Sequence, residues 1–229
     1  RITPQPAALA APASVWRCAE MRPRSDTILV WTGAECSYGC AACPIDRLVA
    51  QPGMWLADLQ QHLHGVTGKR GRLVVLAGGE PALRRDLPRL LAAVRSAGCR
   101  PGLITSGRPL LYPKVRAMLR EVGLAYLRIQ FFGVGAEHDR TVAVPGAFEQ
   151  AIGGVRAWLA ESDGECDVDL VLSTRGRQLA TVPSEVEHLA AQIGSPAVQL
   201  IVAPDPARID EQRDSQELRA VVEELSGWN

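Results

Sequence analysis

The chain reads as one α/β domain built on a parallel sheet, and three observations lead there. Short β-branched runs recur along its length, amphipathic helical stripes separate them, and glycines stand where those helices should stop. Strands that alternate with helices of this length pair in parallel through right-handed crossovers.

In order, the first run is Thr27 to Trp31, after which Leu56, Leu59, Leu63 and Val66 share one helical face. The second, Arg72 to Leu76, is followed by Leu87, Leu90, Leu91 and Val94 on another face. Gly102 to Thr105 makes the third, with Gly98 before it and Gly123 after it as helix stops. Tyr126 to Phe132 leads to the stripe Phe148, Ile152, Val155 and Leu159. Asp167 to Leu172 leads to Val186, Leu189 and Ile193, which Ser184 with Glu187 would open as a capping box and Gly194 would close. Val198 to Val202, with the face Leu218, Val221, Val222 and Leu225, completes six units. Six units suit a partial barrel, but the same periodicity also suits an open doubly wound sheet. Residues 1–25, rich in Pro and Ala, read as an N-terminal extension to a core domain spanning 26–229.

At 229 residues and 47% hydrophobic content, the chain can bury one sizeable core. Its 25 basic residues balance 25 acidic ones, so it lacks the basic excess of a nucleic-acid binder, and nucleic acid is not an expected partner. No run has the apolar length of a membrane span, and the Ala-rich opening is interrupted by Pro12, so neither a membrane nor a secretory signal is expected. Of six cysteines, three cluster tightly and Cys18, Cys99 and Cys166 are scattered singly. That is no disulfide framework, so a reducing, cytoplasmic compartment is expected and the scattered three read as core thiols. The first residue is Arg1 and not Met, as in a processed chain or a piece of a longer one.

The chemistry-bearing residues fall just after the strands, where parallel β/α architectures gather their active sites. Cys36, Cys40 and Cys43, spaced CxxxCxxC, follow the first strand, and Gly78-Gly79-Glu80-Pro81 follows the second. Thr105-Ser106-Gly107 ends the third, Gln130 lies near the end of the fourth, and Ser173, Thr174 and Arg175 close the fifth. Three thiolates in one loop can hold three irons of a 4Fe-4S cube and leave the fourth without a protein ligand. The competing reading is a closed zinc site, for which His62 or His64 would supply the fourth ligand from a poorly placed helix. Against a ligand-binding role for Gly78 and Gly79 stands the reading as a plain strand-to-helix turn. Glu80, a carboxylate beside that turn, is suited to accept hydrogen bonds from an ammonium.

This set of motifs, in this strand context, resembles the radical S-adenosylmethionine (SAM) superfamily over most of the chain. The resemblance implies a partial (β/α)6 TIM-like barrel with parallel strands, and decides against the doubly wound sheet. It implies a 4Fe-4S cluster on Cys36, Cys40 and Cys43, with SAM chelated at the open iron by its amino and carboxylate groups. Glu80, with the backbone of Gly78 and Gly79, would hold the methionine amino group, with the missing side chains letting backbone approach the ligand. Ser106 stands where the family usually has Asn, and Gln130 where many relatives carry Ser; both would bond the ribose or carboxylate. Ser173 and Arg175 would join them, Arg175 pairing with the SAM carboxylate or an anionic substrate. Ala42 stands where relatives commonly have an aromatic residue whose backbone recognises adenine; Ala keeps the backbone, and Tyr38 takes up part of the apolar role. The segment from His138-Asp139 to Pro145-Gly146-Ala147-Phe148 resembles the lead-in to the fourth helix of maturase-like members, with a local role as turn, helix start and buried Phe148.

The implied activity is reductive cleavage of SAM to methionine and a 5'-deoxyadenosyl radical, with an electron donor such as flavodoxin. The radical would take hydrogen from a substrate, a peptide or protein side chain first, a small molecule in cofactor or natural-product biosynthesis second. A non-catalytic binding module on the same fold is the alternative from another class. A further, auxiliary cluster would need several neighbouring cysteines that these residues do not supply.

Overall fold

The computed structural model describes residues 27–40, 43, 53–65, 71–161, 164–173, 181–194 and 198–203. Six strands, β1 (Thr27–Trp31), β2 (Leu73–Ala77), β3 (Arg100–Thr105), β4 (Tyr126–Phe131), β5 (Asp167–Ser173) and β6 (Val198–Ala203), form one sheet. All pairings are parallel and each joins sequence neighbours, so the spatial order is the chain order. A doubly wound sheet reverses its strand order at a switch point. This sheet has no reversal, and the partial (β/α)6 barrel is the architecture present.

The helices are α1 (Leu56–Gly65), α2 (Leu87–Ser96), α3 (Pro113–Glu121), α4 (Ala136–Val142), α5 (Ala147–Ala160) and α6 (Val182–Ile193). Successive strand residues point to opposite faces, and the two faces differ sharply here. Val30, Val74, Leu76, Leu103, Leu127, Ile129, Phe131, Leu170 and Leu172 join the helices in one buried core. The other face carries a small cluster of Leu73, Val75 and Tyr126, with Ile104 against it. That inner face is the wall of the partial barrel, and the ends of its strands position the site.

Helix periodicity translates directly into packing. Leu87, Leu90, Leu91 and Val94 are buried on α2, as are Phe148, Ile152 and Val155 on α5, with Trp158 in addition. Gly98, Gly123 and Gly194 follow α2, α3 and α6 with φ of 77°, 66° and 63°, the left-handed conformation that ends helices at low cost to glycine. Cys99 is a core thiol at the start of β3, and Cys166 is half-buried before β5, both at the end of the sheet away from Cys36.

Two local expectations are corrected. Ser184 does not open α6: the helix begins at Val182 behind Thr181, and the Ser184 hydroxyl donates to the Thr181 carbonyl at 2.9 Å. Pro183 supplies a helical φ in the first turn, which moves the start upstream. The segment ahead of Phe148 is a helix in its own right, α4, ending on Ala143 at φ 56°. The N-terminal extension, Val66, and the stripe from Leu218 to Leu225 lie outside the described residues. Among the described residues no helix is long and apolar enough to cross a membrane.

Candidate functional site

The loop after β1 is stitched to the turn after β2 as though the strand pairing continued. Thr32 donates to the Ala77 carbonyl through its N–H at 2.7 Å and its hydroxyl at 2.9 Å. Gly79 N–H then donates to Gly33 O at 2.8 Å, and Glu80 N–H to Glu35 O at 2.7 Å. The approach is so close that a Cβ on Gly79 would lie 2.2 Å from Glu35 O, and one on Gly78 would lie 2.4 Å from Gly33 O. The missing side chains therefore make room for the cysteine loop's own backbone, where the sequence suggested room for a ligand. Arg84 fastens the base of the loop: its Nη1 donates to Thr32 O at 2.6 Å while Nε and Nη2 fork onto Asp86. That guanidinium holds the Asp86 carboxyl below its usual range. Nothing in the motif pattern singled out Arg84, although its place three residues after Pro81 puts it within reach.

Further along the loop, Tyr38 N–H meets Cys36 Sγ at 3.4 Å, Gly39 N–H donates to Val142 O at 3.0 Å, and Cys43 N–H donates to Cys40 O at 3.2 Å. The loop is thus pinned at β2 on one side and α4 on the other. Cys36 is exposed and Cys40 and Cys43 are half-buried; none is in a disulfide. Burial pushes the Cys36 thiol up, and the nearby Glu80 and Cys43 push the same way. Among the described residues no three His, Cys, Asp or Glu side chains converge as ligands of one metal ion. A cube sets a different requirement, since each of its cysteines binds a separate iron, and three thiols on one short loop at the strand ends are a donor set that fits it.

Glu80 is 2% exposed and its carboxylate is enclosed by donors. Thr105 Oγ1 lies 2.8 and 2.9 Å from its two oxygens, Ser106 N–H and hydroxyl donate to Oε2 at 2.8 and 2.6 Å, and Ala82 N–H donates to Oε1 at 3.2 Å. The carboxylate, read from the sequence as open to an ammonium, is in this structure the strut joining the turn after β2 to the end of β3. Thr105 and Ser106 are accordingly next to Glu80. Gln130 projects from the inner face, its amide 3.4 Å from Phe131 O and Val171 O, and Ser173 ends β5 on that face. Ala42 and Arg175 lie outside the described residues.

Two further features of the site had no sequence signal. Arg108 lies over the Tyr38 ring at 5.3 Å and donates through Nε to Gln150 at 2.6 Å, linking the loop to α5. On the inner face, Arg128 Nε donates to Tyr126 Oη at 2.8 Å, and that hydroxyl in turn donates to Asp169. Burial and the Asp169 carboxylate raise the Tyr126 phenol. This chain of polar groups makes part of the inner face hydrophilic.

His138 is fully buried among Phe131, Phe132 and Phe148, with Tyr38 edge-on at 6.2 Å. Its Nδ1 accepts from Phe132 N–H at 3.2 Å, which places the proton of the neutral ring on Nε2. Asp139 beside it accepts from Gly146 N–H at 2.6 Å and Phe148 N–H at 2.8 Å, capping α5. The pair is therefore structural, as the sequence suggested. Burial lowers the His138 pKa from 6.5 to about 4. Below about 6.5 the unfolded chain takes up a proton that the folded one refuses, so stability falls as pH drops from 6.5 towards 4. The expected loss is on the order of 3 kcal/mol, read by urea unfolding across that range. A His138→Gln protein should show a flatter profile, and an unchanged slope would show that His138 does not govern it.

No family model matches the chain. It is 29% identical to the AdoMet-dependent heme synthase of Methanosarcina barkeri over 181 residues, 78% of this chain and 50% of that protein. It is 25% identical to a probable GTP 3',8-cyclase of Metallosphaera sedula, over 79% of this chain and 56% of that one. Over a shorter stretch of 88 residues, 38% of this chain and 23% of that one, it is 38% identical to the PqqA peptide cyclase of Rhizobium meliloti. Among solved structures, Streptococcus suis SuiB bound to precursor peptide SuiA superposes with a TM-score of 0.69 at 13% identity, covering 89% of this chain and 46% of that one. Methylornithine synthase (PylB) superposes at 0.62 and 15% identity, covering 86% and 60%. The structural likenesses concern the fold. The chain spans about half the length of the first-matched relative.

Proposed function

We propose that this chain is a radical SAM enzyme, which cleaves SAM reductively to generate a radical that abstracts hydrogen from a substrate, a reading supported by its likeness to an AdoMet-dependent heme synthase and a probable GTP 3',8-cyclase. The observation that carries the reading is the stitching of the cysteine loop to the Gly78–Glu80 turn at the carboxyl ends of the strands. It sets Cys36, on the loop that also carries Cys40 and Cys43, beside the turn that ends in Glu80. Cys36, Cys40 and Cys43 would hold the cluster; when bound, a 4Fe-4S cluster supplies the electron that splits SAM into methionine and a 5'-deoxyadenosyl radical. Glu80 and the Gly79 backbone would orient the methionine ammonium. Ser106, Gln130 and Ser173 would bond the ribose or carboxylate, with Arg175 as counter-charge and the Ala42 backbone at the adenine. The inner face would receive the substrate, where Arg128, Tyr126 and Asp169 offer hydrogen bonds to a polar group.

A peptide or protein side chain is the first substrate class, supported by the likeness to a peptide cyclase and to a structure holding a precursor peptide. A small molecule is the second, favoured by the longer match to a heme synthase. An external low-potential donor such as flavodoxin and a reducing, cytoplasmic compartment belong to the same proposal. The test is anaerobic incubation of the reconstituted protein with SAM and dithionite, with 5'-deoxyadenosine measured by chromatography. Wild type should release it, and a protein with Cys36→Ala, Cys40→Ala and Cys43→Ala should release none. A cluster-loaded wild type that neither binds nor cleaves SAM would leave the binding-module reading in its place.

A further inference from the structure

We propose that Arg128 selects the substrate by a carboxylate, which docks on the free end of its guanidinium inside the barrel. The inference rests on the substrate-receiving role given above to the inner face, and adds which chemical group that face recognises. Strand register sets Ile104, Arg128 and Asp169 side by side in one row. Gln130 and Val171 form the row towards the carboxyl ends, and Gly102, Tyr126 and Asp167 the row behind. Gln130, assigned to SAM above, is thus about 7 Å along the strand from Arg128. The row behind is closed: a Cβ on Gly102 would meet Val75 at 3.1 Å and Leu73 and Tyr126 at 3.2 Å, so these side chains crowd over the glycine and floor the barrel. A group entering from the carboxyl ends meets Arg128 just above that floor.

A guanidinium carries five N–H donors in a planar fork. One side of the Arg128 fork faces the protein: Nε donates to Tyr126 Oη at 2.8 Å, and Nη2 lies 3.5 Å from Asp169 Oδ2. The second contact is longer than a well-formed hydrogen bond. Tyr126 mediates instead, its hydroxyl accepting from Arg128 and donating to that same Asp169 oxygen. The end of the fork, Nη1 with the other hydrogen of Nη2, has no acceptor among the described residues. The Arg128 side chain is 26% exposed against 12% for Asp169, so the cation is the more accessible member of the pair. Two parallel donors on a planar cation match the two oxygens of a carboxylate. Asp169 beside them disfavours a doubly charged phosphate, and Ile104 on the other side suits an apolar stem. Tyr126 is the positioning residue in this scheme.

Hexanoate, hexanamide and hexyl phosphate, one stem with three head groups, are titrated anaerobically and without reductant into the reconstituted, SAM-loaded protein and followed by calorimetry. A capped glutamyl tripeptide and its glutaminyl counterpart separate a peptide carboxylate from that of a small acid. Hexanoate should bind wild type about tenfold more tightly than hexanamide or hexyl phosphate. Arg128→Gln should lose that preference, and Arg128→Lys should restore part of it. Tyr126→Phe, which lets Asp169 pair with Arg128 directly, should weaken hexanoate about threefold and leave hexanamide as it was. The glutamyl peptide outbinding hexanoate would put the carboxylate on a peptide, and the reverse on a small acid; either supports the role of Arg128. A wild type that binds no acid or does not prefer hexanoate, or an Arg128→Gln protein that keeps the preference, would overturn this proposal alone, provided that wild type still cleaves SAM. So would an affinity for SAM that falls in step with that for hexanoate in Arg128→Gln, because the guanidinium would then hold SAM. A wild type that neither binds nor cleaves SAM would overturn the proposed function, and the substrate role of Arg128 with it.

Discussion

Gly79→Ala should destabilise the protein by roughly 3 kcal/mol or more and detach the cysteine loop from the turn after β2. The added methyl would sit 2.2 Å from Glu35 O and 2.5 Å from Ala34 O, both backbone atoms that cannot rotate away. Relief requires the loop to lift, which breaks the Gly79 N–H to Gly33 O bond at 2.8 Å and the Glu80 N–H to Glu35 O bond at 2.7 Å. The loss is read as a lowered melting temperature together with reduced iron uptake on reconstitution. Gly153→Ala on α5 is the control, because its methyl would meet only the flexible end of Leu111 at 3.1 Å and helix propensity favours alanine. Equal melting temperatures for Gly79→Ala and wild type would refute the stitched-loop geometry.

Glu80→Ala should cost about 3–5 kcal/mol, because it strips the shared acceptor from a buried Thr105 hydroxyl and from three part-buried donors of Ser106 and Ala82. Thr105 is 3% exposed, and Ser106 N–H and Ala82 N–H both end on the carboxylate. Glu80→Gln, conservative in shape, should still lose about half of that. Both oxygens accept hydrogen bonds, so an amide must turn its NH2 towards donors on one side. Denaturant midpoints for wild type, Glu80→Gln and Glu80→Ala should fall in that order. An alanine protein as stable as wild type would mean that Glu80 is no strut, and its role would be in ligand binding alone.

Both predictions concern residues whose importance was legible in the order of amino acids and whose work was not. Short-range periodicity carried the strands to within one or two residues of their ends, because the alternation of two and the stripe of 3.6 are properties of neighbouring side chains. The glycine stops after α2, α3 and α6 were readable for the same reason: a left-handed residue is a local need. The CxxxCxxC and Gly-Gly-Glu-Pro spacings marked the site and its end of the sheet. What Glu80 touches depends on Thr105 and Ser106, 25 and 26 residues away, brought beside it by the pairing of β2 with β3. Why Gly78 and Gly79 lack side chains depends on backbone more than 40 residues upstream that only the folded loop delivers. The start of α6 was missed because Pro183 within the first turn outweighed the Ser184 cap. Local chemistry in the chain thus determined the elements and the cysteine donor set, while the partial barrel was separated from a doubly wound sheet by the resemblance of the motifs and by the unreversed strand order of the fold. Which polar groups face one another was decided by strand register and close packing, since those contacts join residues that no local pattern connects.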